Sequence, residues 1–426
     1  MANRLKIFRE QMAAFEGTVD PQQAIKSGYY VPEPRRSTSE IISRRISLRP
    51  SSTHLLLGGI GSGKTTQLLV TRDRISREND DIFAHYVDVS LYTDISEICL
   101  GVLTAVVGVV LSELIPDNLS ELIPDGNNEV IKNNVKLIQR IAYGYSEKKF
   151  FDPLLQLPQI NIGSPLSPRV TYTHHKGILT PKSNKQTREL LTSINIINNF
   201  LKTKTKGIVL LLDGLDRLND IKSFSQLILS DIQELSSIGI GVVLVGPLRA
   251  LYDQSSDGLE QAVNYFDYRS CYDVDNDSEA YQFFENIIES RATQGFIEES
   301  AMKSLIYYSG GVLRDLINLT QASIEEAYLS DGDIIQQPHV ETSVMSFGKA
   351  RLLGLSESEL ETLEKNMTED IFIPRTEEDI RLLVSGRMLE YRYPERRYSV
   401  HPAIVPVLKF IKKAHKIHLA LNNNEE

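Results

Sequence analysis

At 426 residues the chain is too long for one compact core, and two to four domains are expected. Its 46 basic and 56 acidic residues leave a formal charge of −10, which argues against coating nucleic acid or membrane by bulk charge and leaves only a local basic patch open. Two cysteines, Cys99 and Cys271, lie far apart without the spacing of a zinc site or disulfide framework, so a reducing, cytoplasmic setting is expected.

The opening residues, MANRLKIFREQMAAFEG, are interrupted by charges and hold no apolar run of signal-peptide length, so no export is expected. In YYVPEPRRSTSEIISRRISLRP, prolines and charges precede a helix expected around residues 40–46, opened by a Ser/Thr cap. Residues 54–57, HLLL, then read as a buried parallel strand ending in glycine, and TTQLLVTRDRI has helical spacing through Leu68, Leu69, Arg72 and Ile75.

Between strand and helix, Gly58, Gly63, Lys64 and Thr65 satisfy G-x-x-x-x-G-K-[ST] in the context that pattern requires. Gly58, Gly59, Gly61, Ser62, Gly63, Lys64, Thr65 and Thr66 are the candidate nucleotide-binding residues. Glycines let backbone N–H groups turn around phosphate oxygens, and the helix N-terminus adds a favourable dipole. Lys64 is expected to reach the β- and γ-phosphates and Thr65 to ligate Mg²⁺. The upstream helix is expected beside the nucleotide base, with Tyr29, Tyr30 and Val31 either lining that pocket or packing on the surface.

A second core strand is expected at residues 82–90, IFAHYVDVS, followed by a buried helix at 98–111 that is too short to span a bilayer. Residues 116–187 read as an insertion suited to a partner contact, a short helix and a Pro/Ser/Lys-rich loop. His174 and His175 there lack carboxylate or cysteine neighbours and are read as exposed, not as a metal site. An amphipathic helix, TRELLTSINIINNFLK, leads to GIVLLLDGLDRL, where an apolar run ends at Asp213, the expected metal-side carboxylate. Three residues on, Asp216 is either a general base that polarises the attacking water or a helix cap.

The apolar strand GIGVVLVGP ends at Gly246 and Pro247, and FDYRSCYDVDND is a last strand. Asp273, Asp275 and Asp277 imitate a calcium loop, but Ser278 and Phe284 stand where it needs glycine and glutamate, so calcium is not expected. SGGVLRDLINLTQASIEEA is a helix behind a Gly-Gly turn with Arg314 on its polar side. LSESELETLEKN and TEEDIRLLVSG are helical, and MLEYRYPERRYSVHP is a β-hairpin about Pro394 and Glu395, together a winged-helix pattern.

Over about residues 30–405, this order of motifs resembles the AAA+ ATPases, and more closely the branch shared by STAND signalling ATPases and the origin-recognition/Cdc6 proteins. The resemblance implies an α/β fold: a P-loop NTPase parallel-sheet core with a helical lid and a C-terminal winged-helix domain. The expected boundaries are a leader at 1–50, the P-loop domain at 51–275, the lid at 276–335 and the winged helix and tail at 336–426. It further implies that Lys64 and Thr65 are the Walker A pair and Asp213 the Walker B aspartate, with Arg314 the sensor-2 arginine that reaches the γ-phosphate. Gly214 stands where most AAA+ proteins have glutamate, which implies slow hydrolysis with Asp216 as base. Sensor-1 falls at Gly246 or Pro247 without a polar group, and Arg249 and Arg269 are arginine-finger candidates or ion-pair arginines.

Two functions are consistent with these features. The first is a cytoplasmic regulatory ATPase that takes ATP and Mg²⁺, self-oligomerises on ATP binding and controls an effector protein, with bacterial defence the context the STAND resemblance implies. The second is a DNA-handling ATPase of replication initiation or transposition, using Arg387, Arg392, Arg396 and Arg397 of the wing against phosphates. A metabolic P-loop kinase fits the lid and wing poorly. No membrane role is expected.

Overall fold

The computed structural model describes residues 2–16, 21–35, 37–115, 127–143, 184–203, 205–218, 220–252, 256–369 and 372–422. His174 and His175 lie outside the described residues. The helices are α1 (Ala2–Glu16), α2 (Pro21–Lys26), α3 (Thr38–Leu48), α4 (Lys64–Glu78), α5 (Val102–Glu113), α6 (Asn127–Tyr143), α7 (Asn184–Leu201), α8 (Ile221–Leu227), α9 (Gln233–Ser237) and α10 (Ser256–Ala262). They continue with α11 (Ser278–Glu289), α12 (Glu299–Tyr308), α13 (Leu313–Leu329), α14 (Gln337–Leu352), α15 (Glu357–Asn366), α16 (Glu377–Val384) and α17 (Val405–Asn422). The chain divides into two compact units, one of Ser39–Leu57 and Val70–Asp267, the other of Met1–Thr38, Gly58–Leu69 and Tyr268–Glu426.

The first unit is built on the expected apolar strands. β1 (Thr53–Gly58), β3 (Gly207–Asp213) and β4 (Ile240–Val245) are buried at every position, as continuous apolar runs require, while β2 (Ile82–Asp88) and β5 (Tyr265–Arg269) are partly covered. The order is β2-β3-β4-β1-β5, and β1–β4, β2–β3 and β3–β4 pair in parallel. Leu56 pairs with Val245, Leu212 with Leu244 and Asp88 with Asp213, so the carboxyl ends of these strands share one edge, where α/β sheets place their ligands. Gly246, one of the two positions at which sensor-1 is expected, leaves no room for a side chain. A Cβ there would stand 2.5 Å from the Phe224 ring and 2.8 Å from Leu57, so tight packing accounts for the missing polar group.

The apolar run at 98–111 forms α5, buried along nearly all of its length and packed with α6 and α7. Its N-cap is Gly101, at φ 87°, which offers no side-chain acceptor. The acceptor comes from far along the chain: buried Asp231 takes the N–H groups of Gly101 (2.9 Å), Leu103 (3.0 Å) and Thr104 (3.4 Å). Among the described residues, no helix is long and apolar enough to cross a membrane.

In the second unit, Phe8 and Phe15 of α1 join Phe283, Phe284, Leu305, Leu316 and Ile324 in one apolar cluster. Tyr29 and Val31, candidates for a base pocket, pack against that cluster, and Arg291 lies over the Tyr29 ring. Arg4 donates to the carbonyls of Ala327, Tyr328 and Gly332, placing a cation at the C-terminal end of α13. The hairpin appears as β6 (Met388–Tyr391) and β7 (Arg397–Val400), paired antiparallel. The aspartates that imitate a calcium loop are otherwise engaged: Asp277 caps α11 and pairs with Arg35, and Asp273 binds Arg397.

Sheet stability carries a pH dependence. The His54 ring is fully buried in β1, 2.9 Å from Ser52 Oγ and stacked on Tyr265, and burial, with Arg45 nearby, pulls its imidazole from 6.5 down to about 3. The folded value lies below the unfolded one, so the unfolded chain takes up the proton first and stability is lost as pH falls from about 6.5 towards 3. Between pH 7 and pH 5 the expected loss is about 2 kcal/mol. Urea unfolding of His54→Leu should show a correspondingly smaller change between these pH values than the wild type.

Candidate nucleotide site

The glycine-rich loop leaves β1 at Gly58 and enters α4 at Lys64. Gly61 and Gly63 have φ of 82° and 84°, a left-handed backbone that side chains strain, which is why glycines recur there. Lys64 is buried and donates to the carbonyls of Gly58 and Gly59, both at 3.0 Å. Ser62 N–H donates to the Gly59 carbonyl at 3.3 Å and Gln67 N–H to that of Gly63 at 3.0 Å. Ser62 Oγ is buried and has no hydrogen-bond partner among the described residues. A lone buried hydroxyl beside a helix N-terminus fits an anionic, hydrogen-bonding ligand, as does the cation of Lys64.

Arg314 joins this loop. Its backbone N–H donates to the Gly61 carbonyl at 3.3 Å, Leu313 lies against Gly63, and the Arg314 side chain is exposed. The N-terminus of α13 therefore rests on the loop, with the expected sensor arginine at the contact. Behind it, Asp315 is buried and accepts from Arg351 Nη2 at 2.5 Å and His401 Nε2 at 3.1 Å. Burial holds the His401 imidazole below its ordinary value despite that carboxylate.

Asp213 belongs to the sheet unit. Its Oδ1 accepts the Gly214 N–H at 2.8 Å and its Oδ2 the Tyr86 hydroxyl at 3.0 Å. Burial first, then the Asp213 and Asp88 carboxylates, push the Tyr86 phenol well above its ordinary value and keep it a donor. Asp216 lies half-buried in the turn after β3, and the cap of α8 is Asp220, not Asp216. Tyr86 and Asp88 are missing from the sequence reading. Their signal was that β2, like β3, ends in aspartate.

Arg269, a finger candidate, is committed inward. It is 7% exposed, with Nε and Nη2 donating to the Ser62 carbonyl at 3.0 and 2.7 Å and Nη1 paired with Glu33 at 2.5 Å. These contacts are those of an ion-pair arginine, one of the two alternatives the sequence leaves open for Arg269. Arg249 lies in the turn after β4.

The loop glycines differ in what they tolerate. A Cβ at Gly61 would stand 2.7 Å from Arg314 Cβ on a left-handed backbone, while one at Gly59 meets nothing within 4 Å. Gly61→Ala is expected to cost about 1–3 kcal/mol and Gly59→Ala less than about 0.5 kcal/mol, read from urea unfolding.

Residues 38–239 match the model of the KAP family P-loop domain. No curated protein matches the sequence. Among solved structures, the chain is similar to the Aeropyrum pernix ORC1 protein in complex with DNA, at 13% identity and a TM-score of 0.44, covering 91% of this chain and 96% of that one. It is also similar to Cdc6p from Pyrobaculum aerophilum, at 15% identity and a TM-score of 0.41, covering 92% and 97%. The Thermotoga maritima RuvB Holliday junction branch migration motor gives 15% identity and a TM-score of 0.40, covering 88% and 97%. With a phosphate loop of the required pattern between β1 and α4 and an acidic residue ending a parallel β3, the chain carries a P-loop NTPase domain.

Proposed function

We propose that this chain is a cytoplasmic, ATP-dependent switch: it binds ATP with Mg²⁺, hydrolyses it slowly to ADP and phosphate, and self-associates in its ATP form to control an effector protein. The observation that carries this reading is the seat of α13 on the loop through Arg314 N–H and Gly61 O. An event at the phosphates acts directly on that helix. Through Asp315, Arg351 and His401 the same helix is tied to α14 and to the end of β7. A preference of a few kcal/mol of one nucleotide for one arrangement is enough to invert two populations.

Lys64 supplies positive charge to the β- and γ-phosphates, Ser62 Oγ and the first N–H groups of α4 donate to them, and Arg314 answers the γ-phosphate. Each by its own sequence motif, Thr65 of the loop and Asp213 at the end of β3 are the residues we assign to Mg²⁺, which would neutralise phosphate charge. Asp216 accepts a proton from the attacking water, and Gly214 in place of a glutamate supports slow turnover. The STAND resemblance supports a defence setting.

The alternative, a DNA-handling ATPase with a C-terminal winged helix, has weaker support from the hairpin. Arg397 grips Asp273 with two hydrogen bonds, and Arg387 donates to the carbonyls of Arg351 and Leu353. Arg392 and Arg396 keep 38% and 60% of their side-chain surface, and both pair with buried Glu390.

Solution mass with ADP and with a non-hydrolysable ATP analogue, each with and without duplex DNA, tests both readings. Assembly with the analogue alone is expected, whereas assembly only with DNA would move the chain to the second reading. Lys64→Ala should weaken ATP binding about 100-fold in a titration, and unchanged affinity would remove the site assignment. Asp216→Asn should slow turnover about 100-fold at unchanged affinity, and a wild-type rate would leave Asp216 a purely structural part.

A further inference from the structure

Arg269 is not needed to recognise a phosphate loop, and the pattern of that loop does not mention it. Yet its guanidinium sends two donors, Nε at 3.0 Å and Nη2 at 2.7 Å, to one backbone oxygen of the loop, the carbonyl of Ser62. The peptide unit is planar and trans, so fixing that carbonyl fixes the Gly63 N–H on the opposite side. Among the described residues, both side-chain donors to that carbonyl belong to Arg269. Gly63 follows the peptide at φ 84°, and glycine adopts either sign of φ about equally, so the Ser62–Gly63 peptide is free to turn over unless something holds it.

The hold is itself well supported. Arg269 Nη1 pairs with Glu33 Oε1 at 2.5 Å and donates to Thr38 Oγ1 at 2.9 Å, while Nη2 also donates to the Tyr272 hydroxyl at 3.0 Å. That hydroxyl donates to Glu33 Oε1 at 2.7 Å, and Glu33 Oε2 accepts the Thr38 N–H at 3.1 Å. Both charged side chains are 6% exposed. Burial by itself would pull the Arg269 guanidinium down, but the Tyr272 and Glu33 contacts outweigh it and keep it firmly charged. Buried charge this fully hydrogen-bonded has one geometry open to it, and lysine, with no fork, cannot reproduce it.

We propose that Arg269 is the positioning residue of the phosphate loop, with Glu33 fixing its guanidinium, and that it sets affinity for the phosphates by locking the Ser62–Gly63 peptide. This deepens the proposed nucleotide site and rests on that reading. The locked peptide serves phosphates that ATP and ADP share, so both nucleotides should feel its release alike.

The test is titration of the whole chain with ATP and with ADP, together with steady-state ATP turnover. Arg269→Lys is expected to weaken both nucleotides about tenfold or more and to raise KM by the same factor, with kcat within about threefold. Arg45→Lys is the control for general destabilisation, because Arg45 makes a comparable two-bond grip on Asp267 in the sheet unit at 2.8 Å. It should leave both affinities at wild-type values. Should Arg269→Lys fail to fold, the paired variant Arg269→Gln with Glu33→Gln removes both charges together and should show the same loss. Wild-type affinities in a folded Arg269 variant, or an equal loss in Arg45→Lys, overturn the proposal while the nucleotide reading stands. A wild-type chain that binds neither nucleotide overturns both.

Discussion

A full positive charge buried at the end of an edge strand is the constraint around which the Met1–Thr38, Gly58–Leu69 and Tyr268–Glu426 unit is arranged. Moving a guanidinium out of water costs several kcal/mol unless a counter-charge and enough acceptors meet it. Glu33, Thr38, Tyr272 and the Ser62 carbonyl all converge on Arg269 for that reason. Three of the next four residues add further long-range contacts. Cys271 N–H bonds the Glu390 carbonyl of the hairpin, Tyr272 N–H the Gly311 carbonyl, and the Asp273 carboxylate takes Arg397. At Gly311 a Cβ would fall 1.7 Å from the Tyr272 carbonyl oxygen, so only glycine permits this crossing.

The helix α13 is the second organising element. Its N-terminus rests on Gly61, Asp315 in its first turn ties it to Arg351 and His401, and Arg4 holds its last carbonyls. A helix gripped at both ends and along its apolar side moves as a body or stays put. Packed elements of this kind have discrete arrangements and do not deform continuously.

Much of the sheet and the loop was legible in the sequence because both follow local rules. Residues 55–57, 208–212 and 240–245 are unbroken apolar runs, and G-x-x-x-x-G-K-T is a contiguous pattern whose glycines answer backbone conformation. The hairpin about Pro394 was legible by alternation. The contacts that arrange these parts were not. Nothing near Gly101 announces that its helix is capped by Asp231, 130 residues away. Nothing in YRSCY tells a surface arginine from one sealed against Glu33. Nor does the hairpin's run of arginines reveal that Arg387 and Arg397 are occupied inside the chain.

Local residue patterns are enough to specify the P-loop, the strand that carries Asp213, the helix that begins beside Arg314 and the lack of a bulk basic charge. Each is a property of neighbouring residues, through backbone conformation, hydrophobic period or simple counting. The contacts of Arg269, Tyr86, Asp231 and Asp315, and the crowding at Gly246, emerge from the folded chain alone. Those roles are set by desolvation and packing between residues distant in sequence. A buried charge takes whatever partner the fold supplies, and the chain order gives no measure of that distance.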